Sequence, residues 1–162
     1  MGAGKTTVGR ALAERLGWAY VDSDAEVERT TGRRVPEIFE RDGEAAFRRE
    51  ESRVLREAAS GGDHVVVSVA GGAVLEEVNR EVIAAAGTVV WLRATIDTLV
   101  RRVGSGRGRP LLAPDPRAAL VRLDGIRRPL YAAVADLVVD VDELAAPEVV
   151  ERIAGSVEVA DA

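Results

Sequence analysis

The sequence predicts an α/β fold in which helices alternate with the strands of a parallel sheet. Helical segments and short apolar runs follow one another along almost all of the 162 residues, as repeated strand–helix crossovers require. Hydrophobic residues make up 47% of the chain and aromatic residues only 4%, so Val, Leu, Ile and Ala build the core. A chain of this length is expected to form a single domain over residues 1–162.

The first half of the chain predicts one strand among several helices. A helix spans residues 5–16, and Trp18–Val21 forms a short buried strand. Asp22 and Asp24 follow the end of that strand, and Ser23 or Asp24 is expected to cap the next helix. The later helices of this half are predicted over residues 24–31, 35–41 and 44–59.

The second half predicts three further strands, at His64–Val69, Thr88–Leu92 and Leu137–Asp140. The helices between and after them span residues 79–86, 95–103, 117–134 and 147–154. Pro129 is expected to kink or split its helix. Residues 104–116 are rich in Gly, Arg and Pro and predict a mobile lid. A polar tail follows over residues 155–162.

Composition excludes several classes of protein. The net charge is −5, with charges of both signs interspersed, so neither nucleic acid nor a membrane is the expected partner. The chain has no apolar run long enough for a membrane span and no cysteine for disulfides or thiol catalysis. His64, the single histidine, is interpreted as the start of a strand. We expect a cytoplasmic enzyme.

Lys5 gives the first functional signal. It is the only lysine among the 22 basic residues, and it lies in the sequence Met-Gly-Ala-Gly-Lys-Thr-Thr at residues 1–7. Gly4, Lys5 and Thr6 form the G-K-[ST] end of a phosphate-binding loop. In such a loop the backbone cradles phosphates at a helix N-terminus, the lysine reaches the β- and γ-phosphates, and the hydroxyl binds Mg²⁺.

The phosphate-loop motif is incomplete at its N-terminal side. The full motif is G-x-x-x-x-G-K-[ST] and follows a strand, so its first glycine would lie two places upstream of Met1. We therefore expect Met1 to be an internal methionine of a longer protein. The intact mass of the native protein tests this expectation.

The Asp22-Ser-Asp24 sequence permits two interpretations. Two carboxylates beyond a strand end could serve Mg²⁺ and an acceptor hydroxyl, with one of them acting as a base. They could equally be an N-cap pair for the next helix. Three arginines, Arg48, Arg109 and Arg127, could grip a carboxylate or phosphate in bidentate fashion, although most arginines of the chain are surface residues.

At this point the chain resembles the shikimate kinase family. The similarity rests on G-A-G-K-T-T-V-G-R at residues 2–10, D-S-D at 22–24, and I-F-x-x-x-G-E-x-x-F-R-x-x-E at 38–51. It also includes R-P-L-L at 109–112 and R-R-P-L-Y at 127–131. The resemblance covers about residues 1–153. It implies a three-layer P-loop kinase, of the nucleoside-monophosphate-kinase type, that moves the γ-phosphate of ATP to the 3-hydroxyl of shikimate.

The resemblance also implies roles for individual residues. Lys5, Asp24 and Arg109 would be catalytic, with Asp24 as the candidate base and Arg109 closing with the lid. Residues expected to bind ATP are Gly2, Ala3, Gly4, Lys5, Thr6, Thr7, Arg102, Arg109 and Pro147. Residues expected to bind shikimate are Asp24, Arg48, Gly71, Gly72 and Arg127. The substrate-binding segment is expected to span about residues 24–60. Thr6 and Asp22 would serve Mg²⁺, and Phe39, Phe47 and Glu51 would shape the pocket.

Two features depart from the family pattern. Ala70 stands where the family has the first of three glycines, which is costly only if that residue needs a positive φ. The family sheet order is 2-3-1-4-5, and its central first strand is missing from this chain. The strands at His64–Val69 and Thr88–Leu92 would then each face an unpaired gap, so we expect these 162 residues to be neither fully stable nor fully active alone.

Two other functions stay open at this stage. Another P-loop kinase, such as one for gluconate, would also need cations for a carboxylate and partners for hydroxyls. A nucleotide-binding module without activity is the second alternative, and the presence of Asp24, Arg48 and Arg127 argues against it. A monomer that binds only ATP and shikimate is the family-level expectation.

Overall fold

The computed structural model describes residues 1–61, 64–106 and 110–160. Its strands are β1 (Ala19–Asp22), β2 (Val65–Ser68), β3 (Val90–Arg93) and β4 (Leu137–Asp140). The helices of the first half are α1 (Lys5–Leu16), α2 (Ser23–Thr31), α3 (Val35–Asp42) and α4 (Glu44–Ala59). Those of the second half are α5 (Glu77–Ala85), α6 (Ile96–Val103), α7 (Pro116–Val134) and α8 (Ala146–Ala160). Short 3-10 turns lie at Ala73–Leu75 and Pro110–Leu112.

The four strands form two separate parallel pairs. β1 pairs with β2, with Ala19 opposite Val65, and β3 pairs with β4, with Val90 opposite Leu137. Within the described residues no ladder joins β2 to β3. The predicted parallel strands and the predicted gap between them are confirmed, and the two pairs fit the family order with its central strand left out.

A mainly apolar cavity of about 780 Å³ lies between the two pairs of strands. Its lining includes Val66 of β2, Leu92 of β3, Leu12 of α1 and Ile153 of α8. At one end it reaches Lys5 and Gly71, among other residues. The interior side of each open strand therefore faces apolar side chains rather than a neighbouring strand.

Three buried clusters make up the core. The main cluster joins α1, α6, α7 and α8 to the β3–β4 pair through residues such as Leu12, Leu120, Val139 and Ile153. A second cluster packs α2, α3 and α4 together around Val27, Ile38, Phe47 and Val54. The third lies beside the Ala73–Leu75 turn and joins Leu55 of α4 to Ile83 of α5. Helices α2–α4 thus form a compact unit next to the carboxyl ends of β1 and β2.

Three details of the sequence prediction differ from the structure. The cap of α2 is Asp22, because its carboxylate accepts hydrogen bonds from the Asp24 and Ala25 N–H groups. Helix α7 is not split at Pro129. The residue four positions earlier, Gly125, is exposed, as is Pro129, so water can bond the carbonyl that the proline leaves without an N–H partner.

The predicted end of the last helix at residue 154, with a polar tail after it, is the third difference. Helix α8 continues past Gly155 to Ala160, so residues 155–160 belong to it. Ile153, Ala154 and Val157 are all buried in the main core cluster. Their spacing extends the apolar face of the helix by one more turn, and this packing keeps the segment helical despite the glycine at position 155.

Candidate active site

The N-terminal loop has the backbone form of a phosphate-binding loop. Gly2 and Gly4 adopt φ values of 81° and 96°, which favour glycine. A Cβ on Gly2 would lie 3.0 Å from Val103 Cγ1, so the loop also packs closely on α6. Gly4 is the N-cap of α1, and the first N–H groups of a helix, together with its dipole, favour an anion at this end.

Asp22 joins this loop to the end of β1. Its Oδ2 accepts a hydrogen bond from Thr6 Oγ1 at 3.1 Å and one from the Tyr20 hydroxyl at 3.2 Å. Its Oδ1 accepts bonds from the N–H groups of Asp24 and Ala25 at 3.1 and 3.4 Å. The capping interpretation is therefore correct for Asp22, and the same carboxylate also lies beside the proposed Mg²⁺ ligand Thr6.

Asp24 lies close to charged side chains of both the phosphate loop and helix α4. Burial raises the pKa of its carboxyl group, and the nearby Asp22 charge raises it further, while Lys5 and Arg48 lower it. Lys5 at the phosphate loop and Arg48 on α4 are thus both close enough to act on one carboxylate. A carboxylate with a raised pKa is a better proton acceptor than an ordinary aspartate.

Arg48 and Arg127 converge on the Ala70–Gly72 turn after β2. A Cβ on Gly72 would overlap the Arg48 guanidinium, and a Cβ on Gly71 would lie 3.7 Å from Arg127 Nη1. Both arginines are largely buried, with 11% of the Arg48 side chain and 5% of Arg127 exposed. Glycine at 72 permits the Arg48 guanidinium to approach the backbone, whereas a Cβ on Gly71 would lie 2.8 Å from the Tyr131 oxygen.

The hydrogen-bonding capacity of the buried polar groups around Arg48 is only partly used inside the protein. Arg48 Nη1 donates to Glu51 Oε2 at 2.7 Å and Nη2 donates to Glu44 Oε1 at 3.0 Å. Burial raises the pKa of Glu51, against the opposing effect of Arg48. Among the described residues, Glu51 Oε1 and Arg127 Nε are buried without a hydrogen-bond partner. Buried polar atoms of this kind normally have partners, so the pocket is suited to a polar ligand.

The turn between the arginines is held from two sides. Ser23 Oγ accepts a hydrogen bond from the Ala70 N–H at 2.9 Å, and Ser23 is fully buried. On the other side, the Tyr131 hydroxyl donates to the Gly71 carbonyl at 2.7 Å. Ala70 has no positive φ, so its Cβ carries no such strain in place of the family glycine.

A second set of contacts joins the phosphate loop to the ends of β3 and β4. Arg102 Nη2 donates to the Val141 carbonyl at 2.7 Å, and its Nη1 lies 3.5 Å from the Ala3 carbonyl. Asp142 accepts bonds from the Thr95 N–H and hydroxyl at 3.0 and 2.7 Å. Pro147 lies in the first turn of α8, just beyond this loop.

The pKa of Asp142 is lowered to about 2. Hydrogen bonds from the Thr98 side chain and from Thr95 cause the shift, because they favour the charged form. Asp142 therefore holds the loop before α6 against the loop before α8.

The lid is described only in part. Arg109 lies outside the described residues, so its predicted role stays a prediction. Leu112, at the end of the Pro110–Leu112 turn, is fully buried in the main core cluster. It anchors the C-terminal side of the lid segment to the body of the protein.

The structure gathers the predicted residues into two adjoining groups. The phosphate-loop residues Gly2–Thr7 lie with Asp22 and Arg102, and Asp24 lies between them and the group formed by Arg48, Gly71, Gly72 and Arg127. Sequence reasoning gave no role to Tyr20, Tyr131 or Asp142, and it considered Ser23 only as a helix cap. The spacing of four between Arg127 and Tyr131 on one helix was a usable signal.

These features define a class of protein: an α/β phosphotransferase with a phosphate-binding loop and a cationic acceptor pocket. The family model described as "Shikimate kinase" matches residues 1–158. The chain belongs to the shikimate kinase family, and it is an enzyme that phosphorylates shikimate with ATP.

Curated relatives and solved structures agree with this assignment. The chain is 51% identical over 141 residues to a shikimate kinase of Chromobacterium violaceum, covering 86% of this chain and 76% of the relative. It is 48% identical over 154 residues to that of Ruegeria pomeroyi, covering 94% and 78%. A structure titled as shikimate kinase from Acinetobacter baumannii in complex with shikimate has a TM-score of 0.91 at 42% identity, covering 94% of this chain and 86% of that one.

Over the described residues, no helix combines the length and the apolar character needed to cross a bilayer.

Proposed function

We propose that this chain transfers the γ-phosphoryl group of ATP to the 3-hydroxyl of shikimate, with the two substrates held by the two groups of residues described above. The observation that carries the proposal is the convergence of Arg48 and Arg127 on the Gly71–Gly72 turn, within reach of Asp24. A small carboxylated triol needs buried cations for its carboxylate and backbone or carboxylate partners for its hydroxyls.

The ATP phosphates bind at the loop of Gly2, Ala3, Gly4, Lys5, Thr6 and Thr7. The N-terminal N–H groups of α1 and the Lys5 ammonium balance their charge. Arg102 and Pro147 flank the adenine. Arg102 already bridges the phosphate loop and the end of β4, which supports this placement.

Thr6 and Asp22 are the residues that would hold Mg²⁺. Their oxygens lie 3.1 Å apart, and Mg²⁺ is usually bound by one or two protein oxygens together with substrate phosphates. Among the described residues, no group of three or more His, Cys, Asp or Glu side chains is arranged to hold a metal alone. When bound with ATP, the ion would neutralise the charge of the β- and γ-phosphate oxygens.

Asp24 accepts the proton of the 3-hydroxyl as that oxygen attacks the γ-phosphorus. The new oxygen–phosphorus bond forms while the bond between the γ-phosphorus and the β–γ bridging oxygen breaks, and ADP leaves with the bridging oxygen. Lys5 stabilises the charge that develops there. Arg109 would arrive when the lid closes, which would exclude water and limit hydrolysis of ATP.

The proposal also covers the cellular location and the oligomeric state of the enzyme. We place its activity in the cytoplasm, because the reaction consumes ATP, and we propose a monomer, as the resemblance to the family implies.

An acceptor panel tests the proposal. ADP release is measured with shikimate, with gluconate and without acceptor, and the phosphorylated product is identified by mass spectrometry and phosphorus NMR. We expect turnover with shikimate and a product phosphorylated at the 3-hydroxyl. Lys5→Ala should lower turnover by about 100-fold or more, since it removes a charge that acts in the transition state. A preference for gluconate would refute the assigned acceptor.

A further inference from the structure

We infer that the Tyr131 hydroxyl is a positioning group that fixes the spacing between Arg127 and the Gly71 backbone, and so sets which hydroxy acids fit the acceptor pocket. The inference rests on the proposed function, because it assigns the carboxylate of the acceptor to Arg127 and its hydroxyls to the turn after β2.

One hydroxyl contacts both groups. The Tyr131 oxygen donates its hydrogen to the Gly71 carbonyl at 2.7 Å. The Arg127 guanidinium lies beside the same oxygen, because a Cβ built on Gly71 would lie 2.8 Å from the Tyr131 oxygen and 3.7 Å from Arg127 Nη1. Tyr131 lies one helical turn after Arg127 on α7, so its hydroxyl bridges that helix and the turn.

The tyrosine ring is itself held firmly. It packs against the Trp91 ring with 5.7 Å between the centroids. It also packs against the cluster that contains Ala73 and Val74, immediately after the turn. Burial raises the pKa of the hydroxyl despite the nearby Arg127, so the group remains a neutral donor at physiological pH.

The carbonyl groups of the turn are already engaged. The Gly71 oxygen accepts from Tyr131, and the Gly72 oxygen accepts from the Leu75 N–H at 3.1 Å. The Ala70 N–H is bonded to Ser23, so the N–H groups of Gly71 and Gly72 are the ones that the turn offers to a ligand, at a fixed distance from the guanidinium. A rigid cyclic acid can match that distance, whereas an open-chain acid loses more conformational entropy to do so.

Tyr131→Phe tests the inference, because it keeps the ring and removes only the hydroxyl. We expect the shikimate KM to rise about threefold to tenfold, as the loss of one buried hydrogen bond to the Gly71 carbonyl predicts. The KM for ATP should stay unchanged and kcat should change by less than about threefold, since no reacting atom is touched. An unchanged shikimate KM would overturn the inference.

Tyr20→Phe is the matched control, since Tyr20 is the other of the two tyrosines in the chain. Its hydroxyl bonds Asp22 on the nucleotide side, so its loss should alter the Mg²⁺ dependence and leave the shikimate KM unchanged. Wild-type protein that prefers gluconate to shikimate would refute the proposed function. Active wild type with a normal KM in Tyr131→Phe would refute only the inference.

A double-mutant cycle distinguishes positioning from a general structural effect. If Tyr131 acts through Arg127, Tyr131→Phe should change the shikimate KM by less than about twofold in an Arg127→Ala background. Equal effects in the two backgrounds would contradict the coupling. KM does not depend on the amount of folded enzyme, and if Tyr131→Phe fails to fold, Gly71→Ala provides a second route. Its Cβ would lie 2.8 Å from the Tyr131 oxygen and should also raise the shikimate KM; an unchanged KM there would overturn the inference.

Discussion

Thr6 Oγ1 lies 3.1 Å from Asp22 Oδ2, so a hydrogen bond joins the phosphate loop to the carboxyl end of β1. Asp22 also caps α2 with its other carboxylate oxygen. One side chain thus fixes the helix that carries Asp24 relative to the loop that carries Lys5. This link places the proposed phosphate-binding and acceptor-binding groups on one rigid frame.

Thr6→Val removes the hydroxyl and keeps the shape of the side chain. We expect the Mg²⁺ concentration that gives half-maximal rate to rise about tenfold or more, because an oxygen ligand is lost. The measurement is a Mg²⁺ titration of turnover at saturating shikimate. Thr7→Val is the control, since Thr7 is exposed and lies outside the proposed metal ligands. An identical Mg²⁺ requirement in Thr6→Val and wild type would contradict the assignment.

Asp24→Asn should lower kcat by about 100-fold or more with little change in the shikimate KM, as expected for a lost general base. It should not lower the melting temperature. Burial raises the pKa of Asp24, so the folded state disfavours the charged carboxylate. The charge therefore lowers the free energy of unfolding at pH values above that raised pKa. Steady-state kinetics and thermal unfolding at neutral pH measure both effects. Loss of stability in parallel with loss of activity would point to a structural role instead.

The pH dependence provides a separate prediction about Asp24. Asp22 raises the pKa of Asp24, so Asp22→Asn should lower that pKa. The acid limb of the pH profile of kcat/KM for shikimate should then move to lower pH, even if the maximal kcat/KM of the variant is lower. A pH profile at saturating MgATP for both proteins measures the shift. Movement of the acid limb to higher pH would show that another group controls it.

Gly72→Ala should disable the acceptor pocket because the new Cβ would overlap the Arg48 guanidinium. We expect the shikimate KM to rise about tenfold or more as Arg48 is displaced. Gly125→Ala is the matched control: no atom lies within 4 Å of its added Cβ, and it should stabilise helix α7 by about 0.5–1 kcal/mol. Measured KM values and urea unfolding compare the two variants. A normal KM in Gly72→Ala would refute the close packing of Arg48 on the turn.

Arg127→Ala is expected to raise the shikimate KM by about 10- to 100-fold, through loss of a charged hydrogen-bonding partner. The effect on kcat should be small, because the guanidinium holds the carboxylate in both ground and transition states. Arg122→Ala on the exposed side of α7 provides the control and should leave both constants unchanged. A large fall in kcat at constant KM would contradict a pure carboxylate-binding role for Arg127.

Asp142→Asn should raise the ATP KM and spare the shikimate KM, because Asp142 holds the loops beside Arg102 and Pro147. It should also lower stability at neutral pH. The folded-state pKa is depressed from 3.8 to about 2, so this stabilisation is present above pH 3.8 and is lost as the pH falls through about 2. Urea unfolding at several pH values should show a difference that shrinks on acidification. A constant difference would contradict the ionic origin of the effect.

Local sequence signals determined much of this protein. The 3.6-residue periodicity of α1 and α4 and the apolar runs of β2 and β4 gave these elements nearly their observed bounds, because local periodicity and turn residues specify them. The spacing around Lys5, Asp24, Arg48 and Arg127 indicated the family and its substrates. A single lysine in an arginine-rich chain directed attention to the phosphate loop.

Tertiary structure alone decided how those residues meet. Asp22 bonds Thr6, Ser23 and Tyr131 hold the Gly71 turn from opposite sides, and a cavity separates β2 from β3. Each of these arrangements involves segments that are distant in the sequence. Such arrangements depend on packing in three dimensions, which a local sequence pattern does not specify. The same holds for the raised pKa of Asp24, since burial and neighbouring charges exist only once the chain has folded.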